Sequence, residues 1–225
     1  MNKFKLFLLC FFIFLSTTAQ NSRSQILDSL NISQQKIYNQ RYKLAPKEFS
    51  KLSHQYLNKL NSIEKRYKQT QKKKNLKKIA FNFDLQEIYD LKAKTYLEMM
   101  HHAHGVRNNI DSIDYYRNKI LSISNDLEIR GKSHSYSGYS YYNIFYKYSK
   151  SIEHYNKALQ ILEFPENKDY RPIQIRVLVN LNASLLKLKI FDQVEKNYAR
   201  LEETILDMSS NKRYKNLKEL LKIEK

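Results

Sequence analysis

Residues 142–159 read YNIFYKYSKSIEHYNKAL, and this stretch decides the fold that the chain is predicted to adopt. The aromatic Tyr142 is followed by the small Ser151, then by Tyr155 four positions on and the small Ala158 three positions further. Steps of three and four place side chains on one face of a helix, and small side chains allow two helices to approach closely. The spacing therefore predicts a helical hairpin in which Ser151 and Ala158 face the partner helix.

These four positions resemble the core of a tetratricopeptide repeat. Two weaker copies flank it: Ser112 to Tyr116 matches Ser151 to Tyr155, 39 positions earlier, and Leu185, Phe191, Val194, Tyr198 and Leu201 follow the pattern 43 positions later. Both intervals exceed the family's repeat of about 34 residues. Tyr139, Val194 and Leu201 stand where the family has smaller residues. The resemblance implies an all-α solenoid of helical hairpins, similar to exported or sensor-region tetratricopeptide proteins of Bacteroidetes-type bacteria.

In this family the first helix of each hairpin lines a concave groove that binds a protein or peptide. Carried over by register, the resemblance implies three groups of groove residues: Lys94, Leu97, His101 and His104 in the first hairpin, Ser133, Tyr136, Ser140 and Asn143 in the second, and Arg176, Val179 and Ala183 in the third. The lysines and asparagines with which some members clamp a carboxylate are not reproduced. The acidic tail of a chaperone is therefore disfavoured as the partner.

The amino terminus has the order of a secretory signal peptide. Lys3 and Lys5 supply positive charge, Leu6–Leu15 is an unbroken apolar run of ten residues, and small residues lead up to Ala19. A bilayer span needs roughly 20 apolar residues, so the run is short for a membrane helix. The sequence predicts cleavage near Ala19 and export to the periplasm or the outside of the cell. An uncleaved anchor and lipoprotein processing at Cys10 are the alternatives.

Basic residues exceed acidic ones along the whole chain. The formal net charge is +18, and residues 72–78 (KKKNLKK) form one local cluster. One interpretation is an anionic partner, such as nucleic acid, an acidic membrane surface or an acidic polymer. The other, favoured by the even spread of lysines, is a set of solvated lysines on helix faces. Export disfavours nucleic acid and leaves an anionic surface as the charge-driven partner.

Glycine and proline occur only three times each, which disfavours long sheets with many hairpins. The predicted layout is a signal peptide over 1–19, a helical extension over 20–75, tetratricopeptide-like repeats over 76–208 and a capping helix over 209–225. Apolar periodicity predicts one or two short helices over 26–38, a helix over 46–70, and one long helix or two with a bend over 76–104. Further helices are predicted over 110–123, 127–148, 149–162, 172–188, 191–208 and 211–223. Gly105 is predicted to end the helix over 76–104.

No residue pattern in the sequence points to catalysis or to a cofactor. His101 and His104 share a helix face and could hold a metal ion if a carboxylate joined them, but the turn contains no acidic residue. A solvated or groove-facing pair is therefore favoured. Three glycines cannot build a phosphate-binding loop, and no catalytic triad can be assigned. The sequence predicts no metal, no cofactor and no enzymatic activity.

Eighteen tyrosines are present, and six of them are concentrated around the central hairpin: Tyr136, Tyr139, Tyr141, Tyr142, Tyr146 and Tyr148. Because tyrosine combines apolar area with one polar group, it suits both cores and interfaces. The predicted function is that of a non-catalytic scaffold that binds a protein or peptide partner in the groove. Two alternatives stand beside it: attachment to an acidic polymer or lipid by charge, and the truncated sensor region of a tetratricopeptide-containing regulator.

Overall fold

The computed structural model describes residues 25–72, 84–106, 110–163 and 170–206. These residues form eight helices and no strand: α1 (25–40), α2 (Pro46–Lys72), α3 (Leu85–Val106), α4 (Ile110–Ile123), α5 (Leu127–Asn143), α6 (Tyr148–Leu162), α7 (Arg171–Lys187) and α8 (Phe191–Leu206). The all-α prediction is confirmed for this part of the chain. The predicted signal peptide, the lysine cluster beyond Lys72 and the capping helix over 209–225 lie outside the described residues.

Two predicted helix ends are wrong. The helix expected over 127–148 ends at Asn143, because Tyr146 takes a left-handed conformation (φ 52°) and the Lys147 N–H bonds back to the Tyr141 carbonyl at 2.9 Å. Such a turn closes a helix without the glycine that usually marks it. Gly105, expected to stop α3, is still helical, and its φ is not positive. The amino-terminal segment is one helix, α1.

The helices divide into two units, whose boundary falls between Met99 and Met100 within α3. The first unit is held by contacts among α1, α2 and the first part of α3. The Tyr56 hydroxyl donates to the Leu30 carbonyl at 2.8 Å, and Lys92 forms an ion pair with Glu64. Burial tends to raise the pKa of Glu64, but bonds from Lys68 and Lys92 outweigh it and lower that pKa to about 2.

The second unit places each helix against the next along the chain, from α4 to α8, and α5 also contacts α7. The connections within α4–α5, α5–α6 and α7–α8 are short, which makes these helices antiparallel neighbours. The Asp126 carboxylate caps α5 by accepting from the backbone N–H groups of Glu128 and Ile129. The apolar core of this unit is built by α6, α7 and α8 around Tyr155, Leu162, Leu178 and Leu181.

Small residues allow α5 and α6 to lie unusually close. Gly131 and Gly138 are seven positions apart, which places them two turns apart on one face of α5. A methyl group added at Gly131 would come within 2.6 Å of Leu162, and one at Gly138 within 2.8 Å of the Tyr155 ring. The Ser151 hydroxyl donates to the Gly138 carbonyl at 2.8 Å across the same contact.

The four positions on which the hairpin prediction rests lie at or beside this contact. Ser151, Tyr155 and Ala158 are buried in α6. Tyr142 is half-buried at the end of α5, and its ring centroid is 5.4 Å from that of Tyr148. Packing at this contact therefore depends on small side chains in both helices.

We expect Ala158→Leu to lower the free energy of unfolding by about 1–3 kcal/mol, because Ala158 has no exposed surface and added methylenes overpack a filled core. The neighbouring Lys157 is exposed and bonds only locally to Glu153, so Lys157→Leu is the matched control and is expected to cost less than about 0.5 kcal/mol. Urea unfolding followed by circular dichroism measures both. Equal losses at the two positions would contradict the register of α6.

Candidate functional site

The end of α3 meets α5 through a row of ring contacts within the second unit. His101 packs edge-on against Tyr136, with ring centroids 4.8 Å apart, and His104 lies 4.8 Å from the Tyr139 ring. We call these four residues the histidine–tyrosine surface. The sequence predicted three of them as groove residues, and the structure brings those three together. Tyr139 was not among the predicted groove residues; the sequence analysis named it as a departure from the family pattern and as one of the six tyrosines around the central hairpin.

The histidine–tyrosine surface is partly open to solvent. Tyr139 is 41% exposed, and His101, His104 and Tyr136 are half-buried. One turn beyond, Asn143 is exposed and donates its side-chain N–H to the Tyr139 carbonyl at 3.0 Å, and its amide oxygen is a hydrogen-bond acceptor. Burial lowers the pKa of His104, so this imidazole is neutral at neutral pH. The surface therefore offers ring area, hydroxyl groups and an amide, without a strong charge.

Two predicted groove residues of α5 are not accessible. Ser133 has no exposed surface and its hydroxyl donates to the Arg130 carbonyl, while Ser140 is 1% exposed and its hydroxyl donates to the Tyr136 carbonyl. Ser140 also lies 2.9 Å from His104 Nδ1, so it orients that ring. In this structure Ser133 and Ser140 support the helix and do not present groups to a partner.

The remaining predicted groove residues lie elsewhere. Lys94 is exposed and Leu97 is buried, both on the part of α3 that belongs to the first unit. On α7, Arg176 and Val179 are exposed and Ala183 is half-buried. The spacing of these three residues places them on one face of α7. Leu186, one turn further, extends this face and is 45% exposed.

A second group of polar side chains lies where α4, α5 and α6 meet; His134, Ser137, Tyr141 and His154 are buried, whereas Asp114 and Arg117 are partly exposed. We call it the buried histidine cluster; its members are Asp114, Arg117, His134, Ser137, Tyr141 and His154. Arg117 Nη1 donates to Asp114 Oδ1 at 2.6 Å, to Ser137 Oγ at 3.2 Å and to His154 Nε2 at 3.1 Å. The Tyr141 hydroxyl donates to Asp114 Oδ2 at 2.9 Å, and its ring stacks on His154 with an interplanar angle of 9°.

The hydrogen bonds assign the proton positions of both imidazoles. Arg117 can only donate, so His154 Nε2 accepts and the proton of this ring is on Nδ1. That Nδ1–H donates to His134 Nδ1 at 3.1 Å, which places the proton of His134 on Nε2. Burial, with the nearby charges of His154 and Arg117, lowers the pKa of His134 to about 3. Burial and Arg117 lower the pKa of His154 to about 4.

The sequence analysis missed this cluster. His134 and His154 are 20 positions apart and match no motif, so only the register of the hairpin brings them together. Once residues such as Gly138 and Tyr155 are known to face each other, His134 and His154 fall on the facing sides of an antiparallel pair. A histidine in each helix at an inward position is the signal that could have revealed the contact.

Two general kinds of site are not found in the part of the chain that the structure describes. No group of three or more histidine, cysteine, aspartate or glutamate side chains is placed to hold a metal ion. No helix there combines the length and apolar character needed to cross a membrane.

Comparison with known proteins gives no match. No family model matches the chain, and neither does any curated protein or any solved structure. The assignment of function therefore rests on the side chains of the two sites above.

Proposed function

We propose that this protein is a non-catalytic, exported scaffold that binds a protein or peptide partner on tetratricopeptide-like helical hairpins. The observation that carries the proposal is the histidine–tyrosine surface, where half-exposed rings of α3 and α5 pack side by side. Tyrosine rings supply large, rigid contact area at low cost in side-chain entropy, and they are enriched at protein interfaces. Asn143 adds an amide oxygen that can accept from the N–H of a peptide backbone.

The packing of the helices supports this proposal. α5–α6 and α7–α8 are antiparallel pairs with short turns, and α5 contacts α7 as well as α6, as expected where hairpins stack. Stacked hairpins set their first helices side by side, so in the proposed arrangement the exposed residues of α5 and α7 would share one binding face. In this arrangement Tyr136, Tyr139 and Asn143 contribute from α5, and Arg176 and Val179 from α7.

Peptide binding on this surface can be tested with an array of immobilised random peptides probed with the mature protein. We expect Tyr136→Ala and Asn143→Ala to weaken the affinity for the peptides that the wild type binds by about 5- to 30-fold, because each change removes contact area or a hydrogen-bonding group. Neither change is expected to lower stability by more than about 1 kcal/mol.

The matched control is Tyr115→Ala. Tyr115 is 54% exposed on α4, away from the histidine–tyrosine surface, so its loss is expected to leave binding unchanged. If the wild-type protein binds no peptide selectively, or if the control loses binding as much as Tyr136→Ala does, the proposed surface is wrong.

Attachment by charge is the second candidate, and α7 favours it. This helix carries Arg171, Arg176 and Lys187 and no acidic residue. Charge-driven binding weakens steeply as salt is raised, whereas contacts between rings and peptides weaken little. Binding to polyglutamate and to anionic vesicles, measured across a salt series with the wild type and with lysines 72–74 changed to glutamine, separates the two. Binding lost with those lysines but retained in Tyr136→Ala would favour the charge-driven function.

A further inference from the structure

The two buried imidazoles take part in two hydrogen bonds, one between the rings and one from Arg117, and both bonds are present together only while both rings are neutral. His134 Nδ1 accepts from His154 Nδ1, and His154 Nε2 accepts from Arg117. A proton added to His154 would lie on Nε2 and point at the Arg117 donor. A proton added to His134 would lie on Nδ1 and set two N–H groups head-on at 3.1 Å. Either protonation therefore turns one hydrogen bond into a repulsion.

The surroundings of the two rings provide little solvation for an added positive charge. His134 and His154 are only 7% and 6% exposed. Asp114, the carboxylate of the cluster, already accepts from Arg117 and Tyr141. A charged imidazole would either stay desolvated beside the Arg117 guanidinium or move out into water. Moving out into water requires α5 to shift away from α4 and α6.

We propose that His134 and His154 form an acid-sensitive latch, which holds α5 against α4 and α6 while both rings are neutral and loosens it when either ring gains a proton. Tyr136, Tyr139 and Asn143 are carried by the same helix, so acid would also loosen the proposed binding surface. This last consequence rests on the proposed function, whereas the latch does not.

The charged groups around the pair determine how strongly protonation is opposed. The groups that face it are Asp114 and Arg117 from α4, Arg130 from α5, and Glu153 and Lys157 from α6. Protonation of His134 is opposed by the positive charges of Arg117, Arg130 and Lys157. Protonation of His154 is opposed by Arg117 and Lys157 and favoured by the carboxylates of Glu153 and Asp114. α7 packs against both α5 and α6, and its charged residues are all cations. α3 contributes His104, a neutral ring bonded to Ser140 on a different side of α5.

The direction of the pH effect follows from proton linkage. Both pKa values are lowered on folding, to about 3 for His134 and about 4 for His154. The unfolded chain, whose histidines titrate near about 6.5, binds more protons than the folded one at intermediate pH. The stabilisation that depends on these two neutral rings is therefore fully present above about pH 6.5. It is lost as the pH falls toward the pKa values of the two histidines in the folded protein.

The test is urea unfolding of the mature protein at about pH 7.5 and at about pH 5. Between these two pH values, each latch histidine is expected to raise the equilibrium constant for unfolding roughly 30-fold. His134→Asn keeps an acceptor for His154, and His154→Gln keeps an acceptor for Arg117, but neither titrates. In each single variant, acidification is expected to raise the unfolding constant roughly 30-fold less than it does in the wild type. The double variant is expected to lose the contributions of both histidines.

His54→Gln is the matched control, since His54 is exposed on α2 and bonds locally to the Ser50 carbonyl. It is expected to keep the full pH dependence. If the latch variants keep it as well, the proposal is overturned.

If the variants do not fold, NMR of the wild-type protein provides a second test of the latch. In NMR spectra of the wild-type protein, the ring protons of His134 and His154 are expected to stay unshifted until the chain unfolds. Titration of either latch ring near about pH 6.5 in the folded protein would also overturn the proposal. None of these readouts uses a peptide, so the failure of the latch and the failure of the binding function are distinguishable.

Discussion

Tyr155→Ala is expected to lower the free energy of unfolding by about 3–5 kcal/mol, the range for removing a large buried aromatic side chain. Tyr155 is 1% exposed, and its ring lies over Gly138 in the contact between α5 and α6. Truncation leaves a cavity that neighbouring side chains cannot fill without moving a helix. Urea unfolding measures the loss. Tyr139→Ala, which removes a tyrosine that is 41% exposed on α5, is expected to cost less than about 1 kcal/mol.

Gly138→Ala provides a double-mutant cycle with the same ring. Alone, it is expected to cost about 1–3 kcal/mol, because its methyl group would lie 2.8 Å from the Tyr155 ring, and this outweighs the better helix propensity of alanine. In the Tyr155→Ala background the clash is absent, so the cost is expected to vanish or change sign. Gly105→Ala, with no atom within 4 Å of the added methyl, is the control and is expected to stabilise α3 by up to about 1 kcal/mol. Additive effects at Gly138 and Tyr155 would contradict the contact.

The central hairpin was predictable because its signal is local. Tyr142, Ser151, Tyr155 and Ala158 are close in sequence, and their spacing and size report directly on a helix–helix contact. The prediction was less complete for α5, the helix opposite. This helix buries serines, histidines and glycines in place of an apolar stripe, so periodicity gives no register for it. Neither Gly131 nor Gly138 was predicted to lie in the contact, although both are packed against side chains of α6.

The end of α5 was not predictable from turn chemistry. Sequence rules place helix ends at glycine or proline, but Tyr146 takes the left-handed conformation here and Lys189 does the same after α7. A left-handed tyrosine is costly by itself, so the surrounding hairpin must impose it. Tertiary contacts of this kind are not visible in local sequence.

The candidate surface was predicted in part. Register alone placed His101, His104 and Tyr136 near one another, because residues on successive first helices face the same way. Register could not show that Ser133 and Ser140 are buried, since burial depends on how closely the neighbouring helices approach. Nor could it show the His134–His154 contact, which requires the rotation of two helices about their own axes to be known.

Arg117→Met is expected to lower the free energy of unfolding by about 2–4 kcal/mol at neutral pH. The Arg117 side chain is 13% exposed, and its loss removes one hydrogen-bond donor from each of Asp114, Ser137 and His154. Methionine keeps an unbranched apolar stem like that of arginine but lacks the guanidinium group, so the change reports mainly on that group. Arg176→Met, at an exposed position of α7, is the control and is expected to stay within about 0.5 kcal/mol of the wild type.

The Arg117→Met variant is also expected to respond to pH differently from a protein that is merely less stable. The positive charge of Arg117 helps to lower the pKa of both His134 and His154, so its removal raises both values toward those of the unfolded chain. The folded variant then binds protons more readily, and acid destabilises it less than it does the wild type. The stability difference between the two proteins is therefore expected to narrow between about pH 7.5 and about pH 5. A difference that stays constant across this range would mean that Arg117 acts only as a packing and ion-pair residue, uncoupled from the two imidazoles.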